Sequence, residues 1–245
     1  MNQLIRSVLS RFGLFVGRQI PEQLTGYDLP RDLRLLFDTD SPLCFDIGAN
    51  RGQTIRLLQS CYQHPTIHAF EPATATFNAL MAESFGERVH RHHLAVGAEP
   101  GVAEFRNYQH AELSSLLPMN LDRRENIFAQ EEVVSIEQVQ VSTLSQFCQT
   151  HQIDQIDLLK IDTQGYELPV LQGGRELFRQ KQIKAVLLEL NFTGLYVGQS
   201  DPLDVMRFLR DNQLQLVDFY EKERIDGPEI RWTTALFVRN DQRTT

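Results

Sequence analysis

The stretch Leu43-Cys44-Phe45-Asp46-Ile47-Gly48-Ala49-Asn50-Arg51-Gly52-Gln53-Thr54 decides how the rest of the chain is read. An apolar run, Leu43–Ile47, carries an aspartate near its end and passes at once into a loop with glycines at 48 and 52. Gln53–Tyr62 then has the spacing of a helix. Strand, glycine turn and helix together open a doubly wound α/β domain. The same rhythm recurs downstream: Thr66–Phe70, Val89–Val96, Ile156–Ile161 and Ile183–Leu190 alternate with helices expected at Ala73–Phe85, Thr143–Thr150 and Glu167–Phe178. Runs this short, without in–out alternation, suit a parallel sheet covered by helices on both faces.

Acidic residues mark the ends of these strands. Asp46, Glu71, Asp162 and Glu189 each stand at or near the carboxyl end of a different strand, the edge at which open α/β sheets bind ligands. One such acid is readily a helix cap. Four converging on one crevice would repel one another without a cation or hydrogen-bond donors. The loop lacks the G-x-G-x-x-G spacing of a dinucleotide site and the Gly-Lys-Ser/Thr ending of a P-loop. Asp46 before it would repel a pyrophosphate but suits an ammonium or sulfonium group. Glu71, 25 residues after Asp46, stands where a carboxylate holds two ribose hydroxyls. A nucleoside with a cationic amino-acid tail meets both requirements, which describes S-adenosylmethionine.

Phe45–Gly52, Phe70-Glu71-Pro72 and Asp157-Leu158-Leu159-Lys160-Ile161-Asp162-Thr163-Gln164-Gly165-Tyr166-Glu167 closely resemble the FkbM family of S-adenosylmethionine-dependent methyltransferases. The resemblance continues through Val170–Gly174, and more loosely through Leu94–Gly97 and Ser114-Ser115-Leu116, covering about residues 43–239. It implies the Rossmann-like class I methyltransferase fold, a seven-stranded, mainly parallel sheet whose last strand is antiparallel. Leu214–Tyr220 and Trp232–Arg239, joined through Asp226-Gly227-Pro228, agree with its final hairpin. It also implies O-methylation of hydroxyls on sugars, glycans or secondary metabolites. Two residues depart from the family pattern: Gln164 stands where glutamate is usual, and Ser145 where an aspartate commonly follows Thr-Leu.

On this reading Asp46, Gly48, Asn50 and Gly52 hold the methionine side of the cofactor, Glu71 the ribose, and Pro72, Ala95 and Val96 the adenine. Asp162 is the first candidate for the acceptor proton, or alternatively a helix cap, with Glu189 second and Lys160 assisting. Asp162, Glu189 and Asn191 also form an oxygen set able to take Mg2+. His90, His92 and His93 alternate between strand faces and lack a fourth ligand at a zinc spacing. The segment of about residues 98–150 reads as an insertion, with added strands at Val102–Tyr108 and Val133–Val141 and a lid or surface loop between them. Ser114, Ser115, Gln164, Asn191 and Tyr196 are its expected acceptor contacts, although Tyr196 and Phe192 equally suit core aromatics. The competing functions are a cofactor-binding module without turnover and a metal-assisted O-methyltransferase.

Composition narrows the partners. The chain has 245 residues with 32 acidic and 24 basic side chains, a net charge of −8, which argues against nucleic acid and for a small-molecule or carbohydrate acceptor. Three cysteines in no zinc spacing favour a reducing, cytoplasmic setting. No apolar run reaches the roughly 20 residues of a transmembrane helix. Residues 1–42 read as a helical extension. Its amphipathic stretch Leu4–Val16, interrupted by Arg6 and Arg11, packs on the domain or a second copy as a homodimer contact, or else rests on a membrane surface. Gly13 and Gly17 weaken the latter. A short helix is expected near Arg31–Phe37.

Overall fold

A computed structural model of the chain describes residue 24, residues 26–225 and residues 227–239. The amphipathic stretch Leu4–Val16, and with it the dimer and membrane expectations, lies outside the described residues. The main sheet is built from β1 (Leu43–Ile47), β2 (Thr66–Phe70), β3 (Val89–His92), β7 (Ile156–Ile161), β8 (Ile183–Asn191), β9 (Leu214–Glu223) and β10 (Trp232–Arg239). Its seven strands lie in the order β3-β2-β1-β7-β8-β10-β9. β1 pairs in parallel with both β2 and β7, and β10 runs antiparallel to β8 and β9. The strand order therefore reverses beside β1, and a crevice opens there at the carboxyl edge.

The central strands β1, β7 and β8 bury both faces, as their apolar runs require. Phe45, Ile47, Leu159, Ile161, Val186 and Leu188 point to one side. There they meet α4 (Leu144–His151), α5 (Glu167–Gly173), α6 (Arg175–Arg179) and α7 (Pro202–Asp211). Cys44, Ile67, Ala69, Leu158, Ala185 and Leu187 point to the other. That side is covered by α1 (Leu29–Arg34), α2 (Gln53–Cys61) and α3 (Thr74–Ala82). α1 starts two residues earlier than its expected position because the Asp28 side chain accepts from Arg31 N and Pro30 fits the first turn. The wholly buried Asp32 accepts from Tyr220 Oη at 2.9 Å and so ties α1 to β9.

Three elements differ from the sequence expectation. The strand expected over Val89–Val96 divides, because β2 ends at Phe70 opposite His92 and offers no partner beyond it. Ala95–Val96 becomes β4 and pairs with β6 (Val133–Ser142), which also pairs with β5 (Gly101–Tyr108) in a second, three-stranded sheet. The helix expected over Glu167–Phe178 breaks at Gly173-Gly174. A Cβ on Gly173 would lie 2.1 Å from Gly97 O, so only glycine permits that backbone contact. Finally, α7 is a helix where none was expected; Asp201 caps it through Leu203 N, and Val205 and Leu209 enter the core.

Candidate active site

The glycine loop is held under the crevice by backbone bonds. Gly48 N and Ala49 N both donate to Phe70 O, at 3.0 and 2.9 Å. Gly48 adopts φ +79°, and a Cβ there would lie 1.9 Å from Asp162 O. Glycine is thus required twice, by its left-handed backbone and by the close passage of the β7–α5 loop. Asn50 N donates to Glu71 Oε2 and Ala73 N to Glu71 Oε1, both at 2.9 Å. Burial pushes the Glu71 carboxyl up to about 7, against the pull of these two amides.

These groups border a cavity of about 320 Å³. It is lined by the Gly48–Asn50 loop with Gln53 and Thr54, by Glu71 and Pro72, and by Lys160, Asp162 and Glu189. Phe70, Leu94, Ala95, Val96, Phe105 and Leu116 give it apolar walls. The structure thus brings Gly48, Asn50, Glu71, Pro72, Ala95, Val96, Ser114, Lys160, Asp162, Gln164 and Glu189 to one space. Glu112 and Ala111, from the 3₁₀ turn Ala111–Leu113, line it as well and had no sequence signal. Asp46 and Gly52 lie off this lining. Asp46 is 0% exposed beneath the loop, with Oδ1 3.2 Å from Lys160 Nζ. Its charge therefore meets Lys160 rather than a ligand directly.

The β7–α5 loop gathers the polar end. Lys160 Nζ donates to Gly48 O at 3.2 Å and sits 3.5 Å from Asp162 Oδ2. Burial opposes the ammonium charge, but Asp46 and Asp162 outweigh it and hold the Lys160 pKa above its usual value. A lysine kept protonated this way is a fixed positive charge, not a base. Gln164, at φ +53°, donates from Nε2 to Asp162 Oδ1 at 2.8 Å and to Glu189 Oε1 at 3.2 Å. Burial and the nearby Asp162 push Glu189 up to about 8, so it is largely a neutral acid at pH 7. Asp162 and Glu189 thus share one amide clamp, yet differ in environment, the pattern that separates base from acid.

Glu167 is the feature whose role the sequence alone did not reveal. It is 2% exposed, and its Oε1 accepts from Thr163 N, Thr163 Oγ1 and Gly165 N at 3.1, 3.2 and 3.1 Å. It fixes the turn that presents Asp162 and Gln164. Its position in the first turn of α5 is the available signal, since an acid there suits the helix N-terminus.

Three expected acceptor contacts lie behind the cavity rather than on it. Ser115 is 0% exposed and donates to Gln164 O at 2.9 Å. The Tyr196 hydroxyl lies 3.1 Å from Gln164 Oε1 and 2.8 Å from Leu113 O. Asn191 donates to Glu189 Oε1 at 3.1 Å. As arranged, Asp162, Glu189 and Asn191 do not fit a cation: the Gln164 amide donates to both carboxyls, and the Lys160 ammonium lies 3.5 Å from Asp162 Oδ2. Among the described residues, no group of three or more His, Cys, Asp or Glu side chains is placed to hold a metal ion. The histidines are packed, not ligating. His92 Nε2 lies 3.1 Å from His68 Nδ1, and burial lowers the two rings to about 4 and about 3. His93 stacks on Phe77 with ring centroids 4.7 Å apart.

The sheet order, the antiparallel β10 and the glycine loop at the switch point define a class I methyltransferase fold. The chain belongs to the FkbM methyltransferase family, whose domain model, Methyltransferase FkbM domain, matches residues 46–216. Methyltransferase FkbM from Methylobacillus flagellatus KT is similar in structure, with TM-score 0.51 and 17% identity over 83% of this chain and 45% of that one. This chain thus spans less than half of that relative's length. Magnesium protoporphyrin IX methyltransferase (ChlM) from Synechocystis PCC 6803, solved with bound SAM, aligns at TM-score 0.46 and 10% identity, over 82% of this chain and 71% of that one. TrmK from M. capricolum, in complex with S-adenosyl-homocysteine, aligns at 0.47 and 11%, over 86% and 67%. A comparison with curated proteins gives no match.

Proposed function

We propose that the protein is an S-adenosylmethionine-dependent O-methyltransferase acting on a hydroxyl of a sugar, glycan or secondary metabolite. The observation that carries this reading is a cavity that Glu71 and the Asp162–Gln164–Glu189 clamp both line. The residues present suit the cofactor: a carboxylate for the ribose, apolar walls for the base, and a close glycine backbone for the amino-acid tail. When bound, the cofactor supplies an activated methyl carbon on sulfur.

The protein's own residues then position the acceptor and handle its proton. Asp162 would accept the proton of the acceptor hydroxyl, leaving its oxygen a stronger nucleophile. Lys160 remains positive, its Nζ 3.5 Å from Asp162 Oδ2. The apolar wall of Leu116 and Phe105 helps exclude water from the space beside it. The net charge of −8 supports a small acceptor rather than a nucleic acid. Three buried, unbridged cysteines accord with the proposed cytoplasmic setting. No helix among the described residues is long and apolar enough to cross a membrane.

Incubation with labelled methyl donor and a panel of glycosides and polyol metabolites tests the reading. Transfer to a hydroxyl is expected. With Asp162→Asn, kcat should fall about 100-fold or more while cofactor affinity stays within about threefold, the range for loss of a general base. Undiminished turnover by that variant would remove Asp162 from the chemistry.

A further inference from the structure

A second chamber meets the first at Asp162. It measures about 390 Å³ and lies on the α1–α2 side of the sheet. Gln53, Thr54, Lys160, Asp162 and Glu189 border both spaces. Transfer between two substrates needs two compartments that touch where the atoms react. Glu71 and Pro72 lie only on the first, so the second has no part of the proposed nucleoside site. Its volume falls in the range of small-molecule pockets, roughly 300–1,000 Å³.

The far wall of this chamber comes from elements outside the cofactor site. Leu29 of α1, Leu57 of α2 and Leu187 of β8 supply an apolar side; Glu221 of β9 and Thr234 of β10 supply a polar one. Glu221 sits in a β-bulge, where Trp232 pairs with Glu223 but Thr234 with Tyr220, leaving Glu221 and Lys222 opposite Thr233 alone. Its φ of +49° is rare for a residue with a side chain. Bulges re-aim side chains, and here Glu221 Oε2 accepts from Thr234 Oγ1 at 3.1 Å at the chamber wall.

We propose that this chamber is the acceptor pocket, and that Glu221 and Thr234 select an acceptor rich in hydrogen-bond donors and free of negative charge. A neutral sugar and an amino sugar both have this chemistry. The inference rests on the methyl-transfer reading above. Among the described residues, the ionisable groups on the chamber wall are Lys160, Asp162, Glu189 and Glu221, of which Glu189 is held largely neutral by its burial. Lys160 is engaged by Asp46, Asp162 and Gly48 O, so among the described residues no uncommitted cation on this wall meets a phosphate or carboxylate. The leucine side offers a surface for the C–H face of a sugar ring, while the carboxylate, hydroxyl and amide groups opposite accept from its hydroxyls.

Ligand-observed NMR on the full chain, first shown by calorimetry to hold S-adenosylhomocysteine, tests this with three probes: a neutral methyl glycoside, a hexosamine and a sugar phosphate. At least one of the first two should bind, about tenfold or more tighter than the sugar phosphate. Glu221→Lys should weaken that binding about tenfold, most for the hexosamine, and leave S-adenosylhomocysteine affinity within about twofold, because Glu221 lies off the cofactor cavity. Thr234→Val is the second variant should Glu221→Lys not fold, with an expected loss of about fivefold from one missing hydrogen bond. Equal binding of the sugar phosphate, no binding of either uncharged or cationic probe, or unchanged sugar affinity in the folded variants would each overturn the proposal. Failure of S-adenosylhomocysteine to bind the wild-type chain would instead overturn the cofactor reading.

Discussion

Glu71 and Gln164 show how much chemistry one side chain settles. Glu71 is the sequence's clearest single statement: an acid ending a buried strand at ribose spacing, and it stands in the cavity as expected. Its raised pKa, about 7, gives a signed prediction. The ionised carboxylate accepts from both ribose hydroxyls, so affinity for S-adenosylhomocysteine should rise as pH climbs from 6 to 8. Glu71→Gln should flatten that dependence, and a flat wild-type profile in calorimetric titrations would contradict the ribose role. Gln164 was legible as a departure from the family pattern and as an expected acceptor contact; that its amide bridges Asp162 and Glu189 depends on its φ of +53° and on Tyr196 behind it. Gln164→Glu would set a third carboxyl against two others. The acidic limb of the pH–rate profile should move up by about one unit or more, the usual effect of a close like charge; an unmoved limb would show that the clamp does not touch the reacting groups. Asp46 was misread for an equally local reason. Strand position placed it beside the loop, but only the packing of Lys160 reveals that its charge is met from within.

At the scale of elements, the strands of the main sheet were legible because burial on both faces leaves uninterrupted apolar runs. What failed were features set by neighbours distant in sequence. The end of β3 is fixed by where β2 stops, and the break between α5 and α6 by the backbone of Gly97 pressing on Gly173. α7 was legible in principle, since Asp201-Pro202 is a helix-start signal, although no helix was expected there. The glycine loop is the element on which the proposed cofactor site depends most. Gly48→Ala would force a Cβ to 1.9 Å from Asp162 O at φ +79°. The backbone term alone costs roughly 1–3 kcal/mol, and the contact with the β7–α5 loop adds to it. Denaturant melts should show a loss of about 3 kcal/mol or more together with lost cofactor binding, whereas a variant of wild-type stability and affinity would mean the loop is not packed against Asp162.

The whole molecule carries a pH signature from the carboxyls it buries. Glu71 and Glu167 rise to about 7 and Glu189 to about 8, from 4.5 when unfolded. Each holds its proton more tightly in the folded chain, so each contributes stability that is present at low pH and lost as pH rises through its folded value. His68 and His92 act oppositely, being neutral when folded and protonated when unfolded below 6.5. Their contribution grows up to that pH and then stops. Between pH 6.5 and 8 the carboxyls act unopposed by these rings, and the Tm of the ligand-free protein should fall by about 3 to 6 °C. A flat or rising Tm would show that these acids are more solvated than their packing indicates. Such buried carboxyls are unfavourable for folding alone and belong to a site shaped for a ligand. Calorimetric titration of the full chain with S-adenosylmethionine and S-adenosylhomocysteine measures that directly. Saturable binding at one site per chain is predicted, weakened about 100-fold or more by Glu71→Ala, since each charge-assisted bond is worth roughly 1.5–3 kcal/mol. No binding by the wild-type chain, or equal binding by the folded variant, would contradict the assignment of this cavity.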